Sequence, residues 1–215
     1  MDYNDLKILY EDADITVCIK PVGIGSEDSP TEKGIVGILS ERAGKPLHLL
    51  HRLDRNVGGI MVFAKSTQAA AKLSALVSRN EIEKQYLAVL QGVPEKESDT
   101  LVDLLFKDSR KNKSFVVNRE RKGVKKASLE YTLIKAENGL SLVRVKLHTG
   151  RTHQIRVQFA SRKLPLLGDG KYGSKCNKCS VALWSHTLSF IHPYTKKEIG
   201  FTAFPPSDRF PWNNF

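Results

Sequence analysis

Cysteine is scarce in this sequence: three residues in a chain of 215, an odd number that makes no disulfide framework. The thiols are expected to be reduced, which fits a cytoplasmic location. Cys176-Asn177-Lys178-Cys179 has the inner spacing of a zinc half-site, with His186 and His192 further on. No second cysteine pair exists, so a surface loop after Tyr172-Gly173 is expected, and no metal. Nor is there any stretch of about eighteen apolar residues, which argues against a membrane-spanning helix. Met1-Asp2-Tyr3-Asn4-Asp5 is an acidic opening without a signal-peptide pattern. Internal repeats and low-complexity tracts are also missing. Acidic residues are outnumbered, 23 against 34 Lys+Arg, leaving a formal charge of +11. Such an excess is the electrostatic footprint of a polyanion-binding surface, although net charge by itself reports on solubility rather than fold.

The basic residues are not spread evenly. Arg110, Lys111, Lys113, Arg119, Arg121, Lys122, Lys125 and Lys126 fall in one interval opposed only by Glu120. This is either a local phosphate-binding patch or a solvated charge run on a hairpin.

Strand signals dominate the pattern. Ile15 to Ile19, Gly59 to Phe63, Gln85 to Leu90, Ser114 to Val117, Ala127 to Ile134, Leu140 to Leu147 and Phe190-Ile191 are short apolar or alternating runs bounded by Gly, Pro or Asn. Helical spacing of Ala70, Leu73, Leu76 and Val77 predicts a helix over Thr67 to Ser78, with Ser66 placed to cap it. Weaker helical patterns cover Ile35 to Ala43 and Thr152 to Ser161. Runs of strands with scattered helices and no βαβ alternation indicate an α+β fold on a mixed or antiparallel sheet. The length suits one substantial core or two small lobes.

Two segments set charged side chains next to glycine at the end of an apolar run: His51-Arg52-Leu53-Asp54-Arg55 and Gly150-Arg151-Thr152-His153-Gln154-Ile155-Arg156. An Asp beside Arg is usually a surface ion pair. Here, however, His51-Arg52-Leu53-Asp54 continuing through Gly59 to Ser66 resembles the catalytic signature of the RluA-type pseudouridine synthases. Further segments agree in order: Glu11 to Val17, Lys20-Pro21-Val22-Gly23, Lys84-Gln85-Tyr86-Leu87-Ala88-Val89, Leu147 through Arg156, Pro165-Leu166-Leu167-Gly168-Asp169 and Tyr172-Gly173. The resemblance runs from about residue 11 to about residue 206. It implies one pseudouridine synthase catalytic domain over 1–215, without the family's frequent S4 RNA-binding domain, in which two sheet-containing halves meet along a central active-site cleft.

What the resemblance implies about chemistry is specific. Asp54 is the essential nucleophile, Tyr86 stacks on the uracil and takes part in proton transfer at C5, and Arg151 is the cation that keeps Asp54 ionised in a desolvated cleft. Arg52 is similar to the arginine that enters the duplex space left by the flipped base. Arg55 joins it in contacting RNA, and Ile155 and Leu166 wall the pocket. His51 and His153 are expected as structural hydrogen-bonders rather than acid–base groups. With no S4 domain, RNA would be gripped by the catalytic domain itself, through Arg119, Arg121, Lys122 and Lys125. The reaction is redox-neutral, so no cofactor is expected; the expected partner is RNA, ribosomal or transfer, and the expected state a monomer. One departure stands out. Where family members commonly carry Asp-Thr-Ser-Gly, this chain has Asn56-Val57-Gly58-Gly59, which removes a carboxylate and two hydroxyls from the loop and adds backbone freedom. That opens an alternative: an RNA-binding or RNA-remodelling protein of the same fold with weak or no turnover.

Overall fold

Ser66 opens the best-signalled helix as its sequence suggests: its side-chain oxygen accepts from the Ala69 amide at 3.1 Å, and helix α2 then runs Thr67–Ser78. The structure is a computed structural model that describes residues 6–215, so the acidic opening Met1 to Asp5 lies outside the described residues. In chain order the elements are β1 (Ile8–Glu11), β2 (Ile15–Lys20), α1 (Ile35–Ala43), β3 (His48–Leu49), β4 (Gly58–Ala64), α2, β5 (Glu83–Gln91), β6 (Ser98–Asp108), β7 (Lys113–Val117), β8 (Val124–Glu137), β9 (Leu140–Leu147), α3 (Gln154–Ala160), β10 (Leu183–Ile191) and β11 (Glu198–Thr202). The third helix begins later than its apolar pattern suggests. His153 sits in the left-handed region at φ 54°, a conformation that cannot continue a right-handed helix, so the turn carrying Arg151 stays outside it.

The chain divides into two units. The first comprises Met1–Lys84 with Trp184–Pro205. Its sheet pairs β1 with β2, β2 with β4 and β10 with β11 antiparallel, while β4 and β10 run parallel, so the sheet is mixed. All seven residues of β4 are buried, which is why it reads as a continuous apolar run rather than an alternation. Ile60, Val62 and Ala64 pack with Ile15 and Val17 of β2, Ala69 and Leu73 of α2, and Leu188 and Phe190 of β10.

The second unit comprises Gln85–Leu183 with Pro206–Phe215. Its sheet is antiparallel throughout: β5 pairs with β9, β9 with β8, β8 with β6, and β6 with β7. Helix α3 is buried over six consecutive residues, Gln154 to Phe159. Its Phe159 ring meets the Tyr131 ring of β8 edge-on at 5.4 Å between centroids.

Candidate active site

Asp54 stands on a tight turn between β3 and β4, closed by the Val57 amide donating to the Asp54 carbonyl at 2.9 Å. Asn56-Val57-Gly58-Gly59 is therefore not the slack loop its glycines suggest. Val57 is buried, and Gly58 and Gly59 already belong to β4, in register with Trp184 and Ser185 of β10. A Cβ on Gly58 would collide with the Trp184 ring, and one on Gly59, at φ +119°, with the Ser185 backbone. These glycines allow two strands to approach, and the packing that requires them also holds them.

The bracing comes from another segment, residues 20–34. Ser26, buried, donates through its hydroxyl to the Leu53 carbonyl at 2.7 Å and accepts from the Leu53 amide at 3.0 Å, fixing the residue just before Asp54. Lys20 has no exposed surface; its ammonium donates to the carbonyls of Pro21 at 2.9 Å, Ile24 at 2.8 Å and Arg55 at 3.4 Å. Burial lowers its pKa to about 8, partly offset by the negative charge of Asp54. A buried cation thus lies behind the Asp54 turn, and nothing in the Lys-Pro-x-Gly pattern alone indicates that it is buried. His51 accepts from the Val62 amide at 3.3 Å through Nε2, and burial, with the Lys84 charge added, lowers it to about 3. At neutral pH it is an uncharged structural acceptor.

The two arginines flanking Asp54 are exposed and paired. Arg52 Nη1 donates to Glu27 Oε2 at 2.9 Å. Arg55 grips Glu32 with two prongs, Nη2 to Oε1 at 2.9 Å and Nη1 to Oε2.

In the second unit Tyr86 lies in β5 opposite Val145 and is 6% exposed. Arg151 is exposed and donates from Nε to the Lys126 carbonyl at 3.1 Å. Its turn is shaped by buried Gln154, whose Oε1 accepts from the Arg151 amide at 3.0 Å and the Thr149 hydroxyl at 2.8 Å while Nε2 donates to the Ser128 carbonyl at 3.0 Å. Ile155 is buried, as is Leu166. The guanidinium that the same segment buries is Arg156. It makes a two-pronged pair with Asp169, 2.7 Å on each side, with the two side chains 8% and 1% exposed. Tyr172 lies against it, ring centroid 5.1 Å from the Arg156 guanidinium carbon, and its hydroxyl accepts from the Ser114 amide at 2.8 Å and meets His153 Nδ1 at 2.9 Å. His153 is thus a structural partner. Further along, Arg119, Arg121, Lys122 and Lys125 are exposed on the turn between β7 and β8 and the start of β8, with the Arg121 guanidinium carbon 4.8 Å from the centre of the Phe106 ring.

Metal-ligating geometry does not arise where the cysteine spacing hints at it. His186 Nδ1 meets the Ala203 carbonyl at 2.9 Å, and His192 Nδ1 accepts from the amides of Tyr194 and Thr195. Among the described residues one group of three metal-ligand side chains converges: Asp12, Asp14 and His192. His192 Nδ1 faces two N–H donors, so the ring proton belongs on Nε2, which lies 3.1 Å from Asp12 Oδ2. A cation would need that nitrogen's lone pair. The arrangement sets a histidine nitrogen against a carboxylate between two turns without a hydrogen bond joining them.

A family model described as RNA pseudouridylate synthase matches residues 14–161. An uncharacterized RNA pseudouridine synthase of Aquifex aeolicus is 34% identical over 90% of this chain and 67% of its own length. The ribosomal large subunit pseudouridine synthase D of Zymomonas mobilis is 31% identical over 94% of this chain and 70% of its own length. An uncharacterized RNA pseudouridine synthase of Mycoplasma pneumoniae, 31% identical, is covered over 66% of its length, so this chain spans about two thirds of several relatives it matches. Among solved structures, human RNA pseudouridylate synthase domain containing 1 superposes with a TM-score of 0.80 at 21% identity, covering 96% of this chain and 86% of that one, a likeness of fold. The fold is the α+β pseudouridine synthase fold. The chain belongs to the RNA pseudouridylate synthase family, and its enzyme class is that of an isomerase.

Proposed function

We propose that this chain converts uridines in structured RNA to pseudouridine with Asp54 as nucleophile, by flipping the target base out of its stack. The observation that carries the reading is the Asp54 turn itself, pinned from behind by Ser26 and Lys20 and flanked by two arginines. Isomerisation breaks N1–C1′ and joins C5 to C1′; the C5 proton leaves and N1 ends protonated. A carboxylate suits attack next to the sugar, and Tyr86, through its hydroxyl, suits the C5 proton. No electrons are exchanged with a cofactor. Arg52 and Arg55 would contact the backbone near the flipped nucleotide, and the exposed Arg119, Arg121, Lys122 and Lys125 the more distant phosphates. Ile155 is assigned to the wall of the pocket by resemblance.

Arg151 is the cation the resemblance pairs with Asp54. A second reading gives that part to Arg156, because a guanidinium stabilises a carboxylate most in a dry setting and Arg156 is the dry one. The relative named for the large ribosomal subunit favours ribosomal over transfer RNA as the substrate. The chain is proposed to act as a cytoplasmic monomer. Incubating the protein with uridine-containing ribosomal and transfer RNA, digesting to nucleosides and measuring pseudouridine tests the activity. Tight binding with no pseudouridine from either RNA would leave the alternative, an RNA-binding or remodelling protein of this fold.

A further inference from the structure

Residues 27 to 32 run against the chain's charge. In a protein with a formal charge of +11, Glu27, Asp28 and Glu32 lie within six positions, and they meet the two arginines beside Asp54. Asp28 is already used: its Oδ1 accepts from the Gly34 amide at 2.7 Å, just ahead of α1. Glu27 and Glu32 face outward instead, onto Arg52 and Arg55, and all four side chains are more than half exposed, between 54% and 58%. Isolated surface pairs of this kind contribute little, because two long side chains must be ordered to form them. Here the carboxylates are presented by a braced segment. Ser26, next to Glu27, is locked to Leu53 through both its hydroxyl bonds, and Ser29 and Glu32 close a turn through the Ser29 amide donating to the Glu32 carbonyl at 2.8 Å. Part of the ordering cost is therefore met by the fold. The Arg55–Glu32 pair also has the fork geometry in which a guanidinium binds a phosphate.

We infer that Glu27 and Glu32 are built-in competitors of the RNA backbone: they occupy Arg52 and Arg55 at rest and must yield them to phosphates when RNA binds. The inference rests on the reading that Arg52 and Arg55 hold RNA. Two carboxylates that mimic phosphate lower affinity for every RNA, so that stable binding needs the remaining contacts as well. They are affinity-setting residues without being substrate contacts.

The test uses the full chain and a 5′-labelled transcribed hairpin RNA with a uridine-rich loop. Glu27→Gln with Glu32→Gln removes the competing charges and keeps side-chain size. Glu41→Gln is the control, since Glu41 is 70% exposed and pairs with Lys33 rather than with an arginine beside Asp54. The double variant is expected to bind about three- to tenfold tighter at 0.1 M salt, with Glu41→Gln within about 1.5-fold per charge removed. Unchanged or weaker binding in the double variant overturns the inference. So does equal tightening per charge in the control, which would reduce the effect to net charge. Arg52→Ala with Arg55→Ala, measured alongside, should weaken binding. If it does not, the assignment of these arginines to RNA is what has failed, and the competition falls with it.

Discussion

Arg52 and Arg55, on either side of Asp54, meet carboxylates from a braced neighbouring segment, whereas Arg119, Lys122 and Lys125 on the connection between β7 and β8 and the start of β8 meet no acid among the described residues. The same side-chain type serves two ends. On that connection, charge is left exposed at the surface, as suits long-range attraction and sequence-independent grip on phosphates. Around Asp54 charge is restrained by the carboxylates that meet it. On the proposed reading the chemistry falls to Asp54 and the more distant grip to the connection between β7 and β8, and removing each in turn tests it.

Removing the chemistry should give the largest effect. Asp54→Asn keeps the turn, whose closing bond is backbone to backbone, but cannot supply a nucleophilic carboxylate. Pseudouridine formation should fall by several powers of ten, with RNA affinity within a few-fold of wild type. A rate above about a hundredth of wild type would assign the chemistry to another residue.

The converse change leaves the chemistry and loosens the grip. Replacing Arg119, Arg121, Lys122 and Lys125 with Ala should weaken RNA binding tenfold or more, similarly across sequences. The slope of log affinity against log salt should flatten by roughly 0.7–0.9 for each phosphate that the protein no longer neutralises, with turnover at saturating RNA preserved. An unaltered affinity and slope would make this connection a solvated charge run and return the grip to the arginines around Asp54.

Arg151 and Arg156 carry the same contrast into the second unit. Arg151→Met removes an exposed guanidinium, so fold stability should hold. If Arg151 keeps Asp54 ionised, turnover should drop and the acidic limb of its pH profile should move upward. Arg151→Lys should recover only part of the activity, for want of the planar fork. Arg156→Met strands a buried Asp169 and should cost about 3–5 kcal/mol in urea denaturation. An acidic limb that moves in a folded Arg156→Met protein and stays put in Arg151→Met would transfer the role to Arg156.

Much of this was written locally in the chain. Helices α1 and α2 have the bounds that apolar spacing and Ser66 give them, and β9 spans Leu140–Leu147 as its alternation indicates. Strand β6 was not legible, since Leu104 beside Leu105 breaks the period of two and Ser and Asp dilute its start; its pairing with both β7 and β8 overrides that weak signal. The motifs also named Asp54, Tyr86 and Arg151 but said nothing of what stands behind them. Ser26 and Lys20 lie 28 and 34 residues before Asp54, and only tertiary structure brings their bonds to its turn. Gly58 and Gly59 read as flexibility in sequence because the partner that makes them necessary, β10, is more than 120 residues away.

The smallest effect tests how firmly the Asp54 segment is held. Burial, with the charge of Lys84 added, lowers His51 from its ordinary 6.5 to about 3, and its Nε2 accepts from the Val62 amide, so the folded chain refuses a proton there over most of the acidic range. An unfolded chain takes that proton up below about pH 6.5. Between those values the unfolded state binds more protons, so the stability this group contributes is present above 6.5 and is lost as pH falls toward 3, at no more than about 1.4 kcal/mol per pH unit. His51→Gln keeps an acceptor near the position of Nε2 and does not titrate. Urea denaturation at pH 7.5, 6, 5 and 4 should show wild type losing stability faster than the variant below 6.5, with the two parallel above it. Parallel curves throughout would mean that the imidazole protonates freely in the folded protein, and the segment leading to Asp54 would then be loosely held.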